Sequence, residues 1–382
     1  MEVIELIGLI ARGEDSKHQF KERVSRAKDI AKELIAFSNT EGGKLIVGVA
    51  DDQSVNGLTV DDLESSNRLI ADAATNNVKP AINLITENVE HPDGMVIVVS
   101  IDKGIRPCAD NDGRIWVKNG SDKRAVTAIE EMQRMFQAAT LVHADELKIQ
   151  NTSIDDIDMD YFSDFFQNVV GEDLSSQSRS HSELLESMNL MQEDNLNLCG
   201  TLLLARQPQF KLPAFIVKAV AFPGTDITDE EYNDSRDIHG KLGVTYQECM
   251  SFILTNIRHV QAGQGFNSVG EPEIPKIVFE ELIANALIHR DYFTKAPVKL
   301  FVFLDRIEII SPGHLPNNLT IDNIVNGNSN SRNPIIASFA RYVLPYRGIG
   351  SGVQRAIKNW PNIEFIDNRD KNEFKVVIKR EC

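Results

Sequence analysis

EIPKIVFEELIANALIHRDY, residues 273–292, is the most informative stretch of this 382-residue chain. Pro275 suits the first turn of a helix, where a missing N–H leaves no bond unmade. Behind it Val278, Phe279, Leu282, Ile283, Ala286 and Leu287 recur at helical spacing and form an apolar arc. Glu281, Asn285 and His289 follow one another at i, i+4 and i+8, so they line up beside that arc and can converge on one ligand. The residue types suit such a role: a carboxylate can take a proton, and an amide oxygen can ligate a hard cation.

Downstream, KAPVKLFVFLDRIEIISPGHLP (295–316) reads as two strands closing on Ser311-Pro312-Gly313. RGIGSGVQRAI (347–357) then places Gly348, Gly350 and Gly352 ahead of a helix, where glycines let backbone N–H groups approach a phosphate. Upstream, HSELLESMNLMQ (181–192) reads as a helix, GTLLLARQPQF (200–210) and AFIVKAVAFPG (214–224) as two strands, and TYQECMSFILTNIRHV (245–260) as an amphipathic helix. Residues 175–382 are thus expected to be one domain. Residues 141–174, acidic through Asp155, Asp156, Asp158, Asp160 and Asp164 and without clear periodicity, are expected to be a linker with a short helical element.

Residues 1–140 read as a separate α/β domain. SRAKDIAKELIAFSNTEGG (25–43) is a helix capped by Ser25 and stopped at Gly42-Gly43, and KLIVGVAD (44–51) is a buried strand after it. A helix from Thr59 to Asn77, a hairpin turning at His91-Pro92-Asp93-Gly94, a strand GRIWVKNG (113–120) and a last helix capped by Thr127 complete it. Asn39, Gly42 and Gly43 are expected to shape a tight turn, and Asp51-Asp52 to close another.

The net charge of −16 opposes indiscriminate polyanion binding, so any nucleic-acid contact requires a local basic patch. Residues 17–32 and 103–124 hold two, from which Lys21, Arg23, Arg106, Lys118, Lys123 and Arg124 are the candidates for phosphate contact, with Trp116 placed to stack on a base or pack on a sheet. Cys108, Cys199, Cys249 and Cys382 are scattered and suggest neither a disulfide framework nor a zinc site. No run of eighteen apolar residues and no basic-then-apolar leader is present, so an unexported protein of the reducing cytoplasm, with no membrane contact, is expected. G-x-x-x-x-G-K-[ST], G-x-S-x-G and H-E-x-x-H are all missing, which argues against a P-loop motor, a serine hydrolase and a zinc hydrolase.

GEDSKHQFKE (13–22), AFSNTEGGKLIVGVAD (36–51) and RPCADNDGRIWVKNGSDKRAV (106–126), in that order, resemble the Schlafen/AlbA-type domain. That resemblance implies binding of DNA or RNA, DNA being the expected partner. The nuclease acids of eukaryotic relatives would fall at Glu14, residue 19 and Asp51; Gln19 lacks the charge such a site requires, so nuclease activity is not expected. The 273–292 segment resembles the N-box of GHKL (gyrase/Hsp90/histidine-kinase) ATPases. The resemblance implies ATP with Mg2+ as cofactors, Glu281 as general base, Asn285 on the magnesium, and Gly313, Gly348, Gly350 and Gly352 around the nucleotide. Ser311 or Pro312 stands where that family places its adenine-binding aspartate.

HRDY, ISPGHLP, SRNPIIASF and RGIGSGVQRA together resemble the divergent GHKL-like domain that accompanies AlbA-type domains in RecG-like predicted transcriptional regulators. The winged helix that many of these carry is not read before Cys382. The expected function is a nucleic-acid-binding transcriptional regulator, acting as a homo-oligomer, with a nucleotide-binding C-terminal domain. The alternatives are an ATP-hydrolysing enzyme of GHKL type or a dimerisation protein with degenerate sites.

Overall fold

The structure, a computed structural model, describes residues 1–139, 141–228, 230–261, 270–316, 319–328 and 330–381. The chain divides into two compact units, Met1–Val142 and His143–Cys382, each of mixed α/β construction.

In the first unit a four-stranded sheet runs in the order His18–Lys21, Gly43–Val47, Gly94–Ile101, Ile85–His91. The first two strands are parallel, joined by the Ala27–Ser38 helix as a crossover. The central strands carry continuous apolar runs, Leu45–Val47 and Met95–Val99, because both faces are covered there. Leu45, Val47, Ile97 and Val99 pack with Ile30, Leu34 and Phe37 of that helix, while Ile46, Val96 and Val98 pack with Leu6, Ile10 and Phe20 on the other side. Leu6 and Ile10 belong to a helix, Val3–Arg12, absent from the sequence reading. The Ala27–Ser38 helix starts behind Arg26 rather than being capped by Ser25, and the Ile129–Ala138 helix starts behind Ala128 rather than at a Thr127 cap. The helix expected from Thr59 runs from Val60 to Asp72, with Thr59 as its N-terminal cap in a capping box with Asp62.

In the second unit six strands lie in the order Asp234–Ile238, Val217–Ala221, Val298–Val302, Arg306–Pro312, Glu373–Lys379, Ile363–Asn368. All neighbours are antiparallel except Val217–Ala221 with Val298–Val302. Leu300, Val302, Ile307, Ile309, Val376 and Ile378 bury one face against the Leu242–Asn256 and Lys276–His289 helices.

Two expectations are corrected here. The LLL run expected as a strand is a helix, Leu198–Leu204, whose cap Asn197 accepts the Gly200 N–H at 2.8 Å; a short run buried on all sides carries no periodicity to separate the two forms. Residues 143–174 are not a linker but part of the second unit, with Phe162, Phe165 and Phe166 of the Met159–Val170 helix in its core. Asp145, fully buried, accepts the N–H groups of Ile335 (2.7 Å) and Ile336 (3.0 Å) and so caps the Pro334–Val343 helix from 190 residues away. Acidic composition signals solvent only where the charges lack partners; here the aromatic residues between them decide.

Among the described residues no helix is long and apolar enough to cross a membrane. Cys108, Cys199 and Cys249 are free and buried; Cys382 lies outside the described residues.

Candidate functional site

The Lys276–His289 helix is packed from several sides, against the sheet, the Leu242–Asn256 helix and the Gly352–Asn359 helix, so its polar edge is enclosed too. Glu281 is only 5% exposed. Beside it opens a cleft enclosing about 1100 Å³ including its mouth, lined by Glu281, Asn285, Gly313, Gly348, Gly350 and Gly352 among others. The helix edge and the glycine loop, some sixty residues apart in sequence, thus face one another.

Each glycine has a geometric reason. Gly348 and Gly350 take left-handed φ of 70° and 74°, which bends the loop into the Gly352–Asn359 helix. At Gly352 a Cβ would lie 2.4 Å from Glu281 Oε2 and 3.4 Å from Asn285 Nδ2, so a bare backbone is what lets the two helices touch. Gly313, at φ 99°, would place a Cβ 2.2 Å from the Arg332 guanidinium.

Three arginines that sequence reading passed over complete the cleft. Arg332 donates to the His314 carbonyl at 2.7 Å beside Gly313, and Arg347 opens the glycine loop. Arg355, one turn into the following helix, is ion-paired with Glu281 at 2.6 Å. Burial pushes the Glu281 carboxyl above its ordinary range, and Arg355 and Arg347 partly offset this. A signal was present in the sequence, since RGIGSGVQR carries an arginine at each end, but charge near a glycine loop does not show which way a side chain points.

The neighbouring motifs are structural. Ser311, in the expected adenine-aspartate position, donates its hydroxyl to the Ala286 carbonyl at 3.1 Å. Arg290 lies against the edge-to-face pair of Phe215 and Tyr292 with its guanidinium 4.7 and 4.9 Å from the ring centres. Asn333 donates to the carbonyls of Ile288 and Arg290 at the end of the Glu281 helix. Asp291 is spent on the turn, accepting from the Phe293 N–H and the Thr294 hydroxyl.

His289 meets the Tyr346 hydroxyl at 3.4 Å. Burial, with Arg332 nearby, lowers its pKa to about 4. The unfolded state therefore binds more protons between the ordinary histidine value and about 4, and stability is lost as pH falls through that window and is complete above it. Denaturant midpoints measured from pH 7 to 4.5 are expected to fall more steeply for the wild type than for His289→Gln; parallel curves would refute the assignment.

In the first unit the six basic candidates separate. Lys118 is 8% exposed, its ammonium donating to Gln19 Oε1 and the Ser121 carbonyl, both at 2.7 Å, above the Phe37 ring; it is interior and offers nothing to a phosphate. Lys123 pairs with buried Glu33 at 2.6 Å, and Lys21 lies 3.9 Å from the same carboxylate. Arg23 and Arg124 sit in partly exposed pairs with Asp62 and Glu131, and Arg106 is exposed with no ion pair to a described residue. Exposed pairs hold their partners weakly, by about 0–1 kcal/mol, so Arg23, Arg106 and Arg124 are the groups a phosphate could engage.

Trp116 is half-buried, packed on the core with its indole N–H on Asp110. Asn39 clamps Cys108 and Trp116 through three backbone bonds, and Asp51 is exposed in a turn closed by Gln53 N–H to Ala50 O. Gln19 donates to Glu14 while accepting from Lys118, so the position holds an internal hydrogen-bond network.

Residues 14–127 match the family model described as "Schlafen, AlbA_2", and residues 295–378 the model described as "Putative ATP-dependent DNA helicase recG C-terminal". The chain is thus similar to a Schlafen AlbA_2 domain in its first unit and to a recG-type C-terminal segment in its second. The match to the recG-type segment begins just after the Glu281 helix and takes in Gly313, the glycine loop and all three arginines of the cleft. Both families suggest a nucleic-acid-related function.

Among solved structures, a protein from Corynebacterium diphtheriae is similar at 18% identity over 99% of this chain and 80% of that one, with a TM-score of 0.48. The N-terminal domain of a RecG-related protein from Nitrosomonas europaea is similar at 19% identity over 34% of this chain and 96% of that one, with a TM-score of 0.23. No curated protein matches the chain.

Proposed function

We propose that this protein is a nucleic-acid-associated transcriptional regulator of the cytoplasm, acting as a homo-oligomer, whose AlbA_2 domain contacts DNA and whose C-terminal cleft binds a nucleotide, ATP being the ligand that the recG-type resemblance implies. The observation that carries the reading is the meeting of Glu281 and Asn285 with the 348–352 glycine loop in one cleft. The lining suits a nucleoside polyphosphate: guanidinium groups and backbone N–H groups for the phosphates, and apolar Leu282, Ile309, Phe365 and Phe374 for a base. Asn285, in the same lining, is placed to donate its side-chain amide N–H to a phosphate oxygen.

A second reading, ATP hydrolysis, is favoured by the raised pKa of Glu281, which suits a general base. Glu281 reaches that role only when Arg355 leaves it, so binding with slow turnover is the reading of the closed ion pair.

Calorimetric titration of the full chain with ATP and magnesium is expected to show binding that Asn285→Ala weakens, and phosphate release, where detected, is expected to vanish in Glu281→Gln. No heat with the wild type would end the nucleotide reading. For the other domain, polarisation titrations with duplex DNA and RNA at two salt concentrations are expected to show DNA binding that weakens as salt rises, and further in Arg23→Ala and Arg106→Ala. Absence of binding at low salt would refute it.

A further inference from the structure

At the Glu281 end of the cleft the charges do not resemble a metal site. Among the described residues the lining brings together Arg332, Arg347 and Arg355 with one carboxylate, Glu281, which is already ion-paired. Among the described residues no group of three or more His, Cys, Asp or Glu could hold a metal ion. Magnesium arriving on a nucleotide keeps phosphate and water oxygens as most of its ligands and is ordinarily held to the protein by one or two free carboxylates. It would find one amide, from Asn285, and would approach two guanidinium groups acting on the one carboxylate in reach.

The same groups are well disposed to an anion. A guanidinium presents a planar fork of donors that matches phosphate oxygens two at a time. Arg355 is only partly used by Glu281, since its Nε is buried without a partner. Arg347 is exposed at the mouth, on the loop whose glycines turn it toward the cleft.

We propose that Arg347 and Arg355 form an anion site that takes the polyphosphate of a nucleotide as the metal-free anion, Arg355 passing from Glu281 to the phosphate as the ligand enters. Guanidinium charge here does the neutralising that a divalent ion does in magnesium-dependent sites. The proposal rests on the nucleotide reading of the cleft and adds its chemistry: recognition lies in the phosphates and is independent of metal.

The test is calorimetry of the full chain with two probes, ATP and inorganic tripolyphosphate, each in magnesium and in EDTA. Dissociation constants for ATP are expected to differ by less than about threefold between the two buffers, and tripolyphosphate is expected to bind in EDTA and compete with ATP. Arg347→Met, at an exposed position, is expected to weaken both probes by about tenfold, and Arg355→Met by more. Because Arg355→Met strands a buried carboxylate, it is repeated in a Glu281→Gln background, where the loss must persist.

ATP binding that requires magnesium, or tripolyphosphate that fails to bind in EDTA while ATP binds in magnesium, overturns the metal-free site and leaves the nucleotide reading standing. Unchanged affinity in both arginine variants overturns the arginine assignment. Silence with ATP in both buffers overturns the nucleotide reading itself.

Discussion

Gly352→Ala is expected to weaken ATP binding by about a hundredfold, equivalent to about 2.7 kcal/mol, while the chain still folds. The added methyl group would start 2.4 Å from Glu281 Oε2, closer than any relaxed contact allows, and at ordinary contact, 3.4 Å, from Asn285 Nδ2. The carboxylate cannot swing aside freely, since Glu281 is buried and held at 2.6 Å by Arg355 from the same helix that carries Gly352. The Gly352–Asn359 helix must therefore back away, taking Arg355 and the glycine loop out of register with Asn285. Overpacking of this kind costs about 1–3 kcal/mol of stability, which circular dichroism and a melting curve will show as a lowered but intact transition. Calorimetry on the same sample reads the affinity. Wild-type binding by Gly352→Ala would show that the contact between the two helices does not govern the cleft.

Asp145→Ala is expected to lower the stability of the second unit by about 3 kcal/mol, a fall in Tm of roughly 6–12 °C for a unit of this size. Asp145 is fully buried and is the acceptor for two N–H groups at the start of the Pro334–Val343 helix. Deleting it leaves both donors buried and unpaired, and removes the charge that favours a helix N-terminus. Asp145→Asn keeps an acceptor oxygen and is expected to lose less than half as much. The damage should reach the cleft, because that helix begins beside Arg332 and Asn333, which hold the His314 carbonyl and the end of the Glu281 helix. Thermal unfolding followed with and without ATP measures both effects. A melting point within about 2 °C of wild type would show that solvent reaches those N–H groups.

The linker expectation failed at this residue. Asp145 opens an acidic stretch without regular period, and nothing local says that its carboxylate is taken up by a helix 190 residues later. The phenylalanines at 162, 165 and 166 were the legible counter-signal, since three aromatics within five residues are too much apolar surface to leave in water. Lys118 teaches the same lesson in reverse. It sits in a strand that looks like a basic patch, yet its ammonium ends inside the unit, because Gln19 and the Ser121 carbonyl together make a better partner than solvent.

Local pattern determined much of this molecule: the Glu281 helix, the continuous strands buried on both faces, the hairpin at His91–Gly94, and glycines where the loop turns left-handed. Periodicity and turn chemistry report which face of an element is covered and where the backbone must bend, and both are properties of neighbouring residues. What only the tertiary structure decided is who meets whom: Arg355 on Glu281, Arg332 under Gly313, Asp145 on a distant helix start, Lys118 turned inward. Those pairings depend on the close approach of segments far apart in the chain, and a side chain's charge carries no record of the partner that burial will bring to it.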